Sequence, residues 1–132
     1  MQQQLNDVLE FHSKFEVNIE AKPVIPSTPR CELRENLIRE EAHELLKAIA
    51  NKDIEKVADG IVDLIYVTLG TAIEFGLQDV IIDCWKEIQR SNMSKLDDNG
   101  RPIKREDGKV LKSDNFTKPD LFKIIFNNFT HK

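Results

Sequence analysis

Two short stretches of the chain place carboxylates where a plain helix surface would not need them. The first is Glu40-Glu41-Ala42-His43-Glu44; the second is Asp59-Gly60-Ile61-Val62-Asp63, which runs on into Leu64-Ile65-Tyr66-Val67. Leu37, Glu41, Glu44 and Ala48 follow a 4-3-4 spacing, one side of a helical cylinder, and Glu40 lies beside them. Asp59 and Asp63 are one turn apart on a common face, and Asp63 interrupts a run that is otherwise apolar. An ionised carboxylate taken out of water without a partner costs on the order of several kcal/mol. Three things can offset that cost: a basic partner, protonation with a raised pKa, or a bound divalent cation. Few basic residues fall on these faces. A cluster of hard oxygen donors is the chemistry of Mg²⁺ or Mn²⁺, whereas a zinc site would use His and Cys. Glu-Glu-x-x-Glu alone is most often a solvated face; an acid inside an apolar run is not explained that way. The two stretches together favour metal binding.

The elements that must position these acids read as helices joined by short breaks. Leu5, Val8, Leu9, His12 and Phe15 recur at threes and fours, predicting a short amphipathic helix. Lys22 to Pro29 holds three prolines and ends it. Thr28 and Pro29 then read as the N-cap and first residue of a second helix, which carries Leu33, Leu37, Leu45, Ala48 and Ile49 to about Asn51. Asp53 is placed to cap a third helix running to about Phe75, with Gly76 as its stop. Asp79 reads as the cap of a fourth, with Val80, Ile81, Cys84, Trp85 and Ile88. Residues 95–118 lack a helical period and contain Asn99-Gly100 and Asp107-Gly108, predicting a flexible loop or small hairpin. Pro119 to Phe129 reads as a last short helix with Phe122, Ile125, Phe126 and Phe129 as its apolar stripe. The class is all-α, in one domain over residues 1–132. The third helix, apolar nearly all round, is expected to be buried on most sides, with Tyr66 and Trp85 as core residues.

Composition narrows the function classes. With 132 residues, 40% apolar and 32% charged, this is the make-up of an ordinary globular protein. A net charge of −4 argues against a partner bound through its polyanionic backbone, so no nucleic-acid polymer is expected. The longest nearly apolar run, Ile61 to Leu69, is too short to span a bilayer, so no membrane is expected either. No basic-then-apolar leader opens the chain, which predicts a cytoplasmic protein, with Cys31 and Cys84 as reduced, partly buried thiols. His43 points away from Glu41 and Glu44 and is expected to be exposed. His12, on an apolar stripe, reads as a core histidine or one reaching a ligand. Phe11 and Phe15 read as packing residues, with stacking on a base as the functional alternative.

The run from Leu37 to Leu45, the run Ala58-Asp59-Gly60-Ile61-Val62-Asp63-Leu64-Ile65-Tyr66-Val67-Thr68-Leu69-Gly70-Thr71-Ala72, the segment Arg90-Ser91-Asn92-Met93-Ser94-Lys95 and the later 105–112 stretch together resemble the all-α nucleoside triphosphate pyrophosphohydrolases. This is the superfamily of MazG, the dimeric dUTPases and phosphoribosyl-ATP pyrophosphohydrolase, and the likeness spans about Phe11 to Leu121. It implies a four-helix core, followed here by the turn-rich segment and short terminal helix, and completed by dimerisation as a homodimer or homotetramer. The metal motif of that superfamily, Glu-x-x-Glu on one helix and Glu-x-x-Asp on the next, maps onto Glu41, Glu44 and Asp63. The position three before Asp63 is Gly60, and Asp59 stands in as the fourth acid. The implied reaction is Mg²⁺-dependent (or Mn²⁺-dependent) hydrolysis of a nucleoside triphosphate to the monophosphate and pyrophosphate. Glu40 or Glu41 would accept the proton of the attacking water. Asn92 and Lys95, expected just after the fourth helix, would meet phosphate or sugar; Arg105, Lys109 and Lys112 would close over the phosphates, and Phe15 would stack on the base. Two other readings remain open from the sequence: phosphoribosyl-ATP as the substrate, and a non-catalytic helical dimer that binds a metal or nucleotide.

Overall fold

The computed structural model describes residues 1–130, with side chains described through residue 127. The chain is mostly helical: α1 (Gln2–Lys14), α2 (Thr28–Ala50), α3 (Ile54–Glu74), α4 (Ile81–Met93), a hairpin of β1 (Ile103–Lys104) and β2 (Val110–Leu111), and α5 (Leu121–Thr130). Four helices, a turn-rich segment and a short terminal helix are thus the order the sequence predicts. The contacts group into two compact units, Met1–Asp79 and the remainder from Val80.

In the first unit α2 and α3 form a long antiparallel pair, and α1 packs on α3. Leu5 and Val8 of α1, Ala48 of α2, and Leu69, Ala72 and Ile73 of α3 are buried. Asp53 caps α3, its Oδ1 accepting a hydrogen bond from the Lys56 amide at 3.2 Å, and Gly76 follows the helix at φ +70°. Helix α2 begins one residue earlier than expected: Ser27 holds the N-cap position without a side-chain bond, and Pro29 is the second helical residue. The pair packs closely at Gly60, where an added β-carbon would stand 3.0 Å from the Leu45 Cα.

At its far end the pair is fastened by a buried ion network. Arg34 donates through Nη1 to Glu74 Oε2 at 2.9 Å, through Nε to Thr71 Oγ1 at 3.1 Å, and through Nη2 to the Val67 carbonyl at 2.7 Å. Arg30 Nε donates to the other Glu74 oxygen at 2.8 Å. His12, 2% exposed, donates through Nδ1 to the Asn18 carbonyl at 3.0 Å and packs against α3 at Gly70, where a side chain would collide with its ring and the Arg34 guanidinium. It is a satisfied core histidine.

In the second unit α4 starts at Ile81, with Val80 rather than Asp79 at the cap position and no side-chain cap bond. Asn92 therefore lies in the last turn of α4 rather than after it, with Lys95 just beyond. Residues 95–118 form a fastened loop. Ser91 Oγ donates to the Thr117 carbonyl at 2.9 Å, Arg90 Nη1 to Thr117 Oγ1 at 2.6 Å, and Ser113 Oγ to the Leu96 carbonyl at 2.7 Å. The hairpin pairs Ile103 with Leu111 and Lys104 with Val110, and Gly108 turns it at φ +88°. Helix α5 begins at Leu121 rather than Pro119; Phe122 and Phe126 line its exposed face, and the side chain of Phe129 lies outside the described ones.

Two burial expectations fail. Trp85 is 61% exposed, so it is not a core residue in this chain. Helix α3 is covered on one side only: Ile61, Val62 and Ile65 are exposed, while Tyr66 is half-buried. Three helices of this length in one unit do not supply enough surface to wrap a helix that is apolar all round.

Candidate active site

The seam between α2 and α3 carries the acids. On α2 the positions Leu33, Leu37, Glu40, Glu44, Lys47 and Asn51 recur at 4-3-4-3-4, and on α3 Lys56, Asp59, Asp63, Tyr66 and Gly70 recur at 3-4-3-4. Because the helices are antiparallel, these two ridges face one another along one side of the pair. Two cavities open between them. The larger, about 520 Å³, is lined by all five acids singled out by the sequence (Glu40, Glu41, Glu44, Asp59 and Asp63) and also by Lys47, Asn51 and Lys56. Glu41 and Asp63 are half-buried, while Glu40, Glu44 and Asp59 are exposed. The Glu41 carboxyl is held above the ordinary carboxylate range, first by its burial and then by the negative charges of Asp63, Glu44, Glu40 and Asp59.

The donor set suits a hard divalent cation by type, being five carboxylates with no thiol or imidazole. Among the described residues, no three His, Cys, Asp or Glu side chains stand in a ligating arrangement. Basic residues were expected to be scarce on these faces, yet Lys47 and Lys56 line the same cavity. Neither ammonium forms an ion pair or hydrogen bond among the described residues. The sequence reading missed both, although each lies three residues from a singled-out acid, Lys47 from Glu44 and Lys56 from Asp59.

The second cavity, about 340 Å³, continues the same ridges past Leu37 and Tyr66. Its walls include Phe11, Leu33, Leu37, Tyr66 and Val67, with His12, Arg30 and Arg34 among its polar lining. Phe11 meets Tyr66 edge-on, with ring centroids 5.7 Å apart, and Phe15 stacks on Phe11 at 4.4 Å. Phe15 itself is 67% exposed and does not line the cavity. The buried Arg34–Glu74 pair was also missed. Its signal was present, since Glu74 follows Ala72-Ile73 and is an acid ending an apolar run, as Asp63 interrupts one.

The other residues singled out from the sequence belong to the second unit. Asn92 is exposed on α4 and Lys95 is half-buried. Arg105 pairs with Asp107 inside the hairpin turn, and the Lys112 ammonium sits 4.6 Å from the centre of the Phe116 ring. Lys109 gives its backbone amide to Asp107 Oδ1 at 3.1 Å. His43 is exposed, as expected.

Two central helices of an all-α chain thus line one groove with carboxylates. The family model for phosphoribosyl-ATP pyrophosphohydrolase matches residues 8–92, and the chain belongs to that family. The match takes in α2, α3, the second half of α1 and nearly all of α4, and so both lined cavities. Among curated proteins, none matches the chain. Among the described residues, no helix is long and apolar enough to cross a membrane.

Proposed function

We propose that the protein hydrolyses a nucleoside triphosphate to the monophosphate and pyrophosphate in a Mg²⁺-dependent reaction, with Mn²⁺ as a substitute ion. The observation that carries this reading is the cavity in which five carboxylates from two helices gather, where burial and then the four neighbouring charges raise the pKa of Glu41. Glu41, Glu44, Asp59 and Asp63 are the residues that would hold the cation. When bound, it supplies positive charge against the phosphate oxygens of the substrate. Glu41, whose pKa is raised, or Glu40 beside it, takes a proton from a water molecule as that water's oxygen bonds to the α-phosphorus. The bond from the α-phosphorus to the bridging oxygen breaks, pyrophosphate leaves with the electron pair, and the carboxyl returns its proton to solvent. The apolar and aromatic second cavity, one to two helical turns along the same groove, would receive the base against its Phe11 and Tyr66 wall.

Phosphoribosyl-ATP carries the same scissile phosphoanhydride, and the family's name favours it as a second substrate reading. The exposed apolar residues Leu46, Ile49, Ile61, Val62 and Ile65 support a homodimer or homotetramer as the working state. A cytoplasmic setting suits two free thiols. The experiment is pyrophosphate release from ribo- and deoxynucleoside triphosphates and phosphoribosyl-ATP, with Mg²⁺, with Mn²⁺ and with EDTA. Metal-dependent release that Asp63→Asn and Glu41→Gln abolish in folded protein is expected. Release unaffected by both substitutions removes the catalytic assignment, and none from any substrate favours a non-catalytic binding dimer.

A further inference from the structure

We propose that Lys47 and Lys56 bind the two phosphates that leave as pyrophosphate, so that the substrate lies along the α2–α3 groove with its tail toward the α2–α3 turn. This rests on the hydrolase reading above. The groove is ordered. Moving along the α2 ridge, the lining changes from apolar and aromatic (Leu33 and Leu37, facing Tyr66) to acidic (Glu40 and Glu44, facing Asp63 and Asp59) to basic (Lys47, facing Lys56). A nucleoside triphosphate presents the complementary order: a flat apolar base, then the phosphate that is attacked, then the phosphates that depart. From Leu37 to Lys47 the helix rises ~15 Å, the scale of one extended nucleotide.

The lysines are notable for lacking partners. Each lines a cavity with five carboxylates, yet neither ammonium engages one among the described residues. A cation kept free beside acids is available to an anion that enters with its own divalent ion. The acids alone would repel a triphosphate tail; two ammonium groups at one end give that tail a direction. Gly60 and Ala48 also line this cavity and add no charge to it.

The test is isothermal titration of inorganic pyrophosphate, in the presence of Mg²⁺, into the full chain and into Lys47→Gln, Lys56→Gln and Lys52→Gln. Lys52 is exposed at the α2–α3 turn, outside the cavity, and controls for loss of one positive charge. Each cavity variant is expected to bind pyrophosphate about tenfold more weakly, the Lys52 variant to match the parent, and Lys→Arg at 47 or 56 to restore most of the affinity. Mn²⁺ binding without pyrophosphate should hold or tighten in the two Gln variants, because a neighbouring cation has gone; a loss there would instead mark a damaged fold and overturn the assignment. Unchanged pyrophosphate affinity at both positions, or equal loss in the Lys52 variant, also overturns it. A protein that turns over no triphosphate but shows the expected pattern fails the hydrolase reading and leaves the lysine assignment standing. One that turns over triphosphate with pyrophosphate affinity unmoved by the lysines does the reverse.

Discussion

A side chain at position 60 would press on Leu45: the absent β-carbon of Gly60 would stand 3.0 Å from the Leu45 Cα and 3.2 Å from its Cβ. The family pattern suggested by the sequence places an acid at this position, and here the helix crossing closes it. Asp59, one residue back, reaches the same cavity from the exposed side of α3.

Substituting Gly60 should therefore cost stability despite improving helix propensity. Alanine in place of glycine gains ~1 kcal/mol within a helix, but the contact is with backbone, so α2 and α3 must part, at ~1–3 kcal/mol. Gly60→Ala should come out neutral to about 2 kcal/mol less stable in urea unfolding, and Gly60→Glu distinctly worse. A Gly60→Glu variant as stable as the parent would show that the crossing is loose and that an acid at 60 was sterically available.

The network at the other end of the pair predicts a larger effect. Glu74 is 0% exposed and holds both Arg30 and Arg34, of which Arg34 is itself buried. Removing the carboxylate leaves a buried guanidinium without countercharge, which costs ~3–5 kcal/mol. Glu74→Gln should lose stability in that range, whereas Glu10→Gln, breaking an exposed pair with Lys14, should leave the parent's stability nearly unchanged. Equal effects from the two substitutions would mean that the Glu74 network contributes no more than a surface pair.

Much of this was legible in the sequence because it depends on local pattern. Helical spacing and turn residues locate α1 to α5 and the hairpin, and acids out of place in apolar stripes locate the lined groove. What local pattern does not carry is partnership across elements. Lys47 and Lys56 sit on different helices and come to one cavity only because α2 folds back against α3. Glu74 ends an apolar run, but its partners Arg30 and Arg34 come from the other helix, 44 and 40 residues earlier. Trp85 and the outer face of α3 were misjudged for a related reason: apolar character predicts that a face will be covered, but not by which chain. Residues 95–118 read as a loop from turn signals, and the Ser and Thr bonds that fasten its base have no periodic signature.

The raised Glu41 pKa gives a pH prediction with a definite sign. A carboxyl whose folded pKa lies above its unfolded value contributes stability that is present below the unfolded pKa and lost as pH rises through the folded one. Metal-free protein at neutral pH therefore carries Glu41 as a destabilising charge. Glu41→Gln should raise the metal-free Tm at pH 7, with the gap to the parent closing as pH falls to 4. A Tm that drops on this substitution would show that the carboxylate is satisfied without metal.

His12 shifts the opposite way. Burial holds its pKa below the ordinary histidine value, outweighing its bond to the Asn18 carbonyl. A group with a depressed folded pKa contributes stability above its unfolded pKa and loses it as pH falls through that value and toward the folded one. The parent should thus lose stability from about pH 7 downward, near the ordinary histidine pKa of ~6.5. His12→Gln should show a shallower loss over the same window in urea unfolding followed against pH. Parallel curves for the two proteins would mean that His12 accepts its proton freely within the fold.

The same Glu41 charge makes metal binding readable without turnover. A cation that binds the folded cavity and not the unfolded chain stabilises by RT ln(1 + [L]/Kd), ~2.7 kcal/mol at a hundredfold excess over Kd. Mg²⁺ or Mn²⁺ should therefore raise the Tm of the parent. The rise should vanish in Asp63→Asn and Glu41→Gln, the two half-buried acids, and shrink in Asp59→Asn, an exposed one. Glu41→Gln is the decisive variant, because it is expected to be more stable than the parent without metal and less responsive with it; destabilisation cannot produce that pair of signs. If metal raises the Tm of Glu41→Gln as much as that of the parent, the cation binds elsewhere on the acidic surface and the groove is not its site.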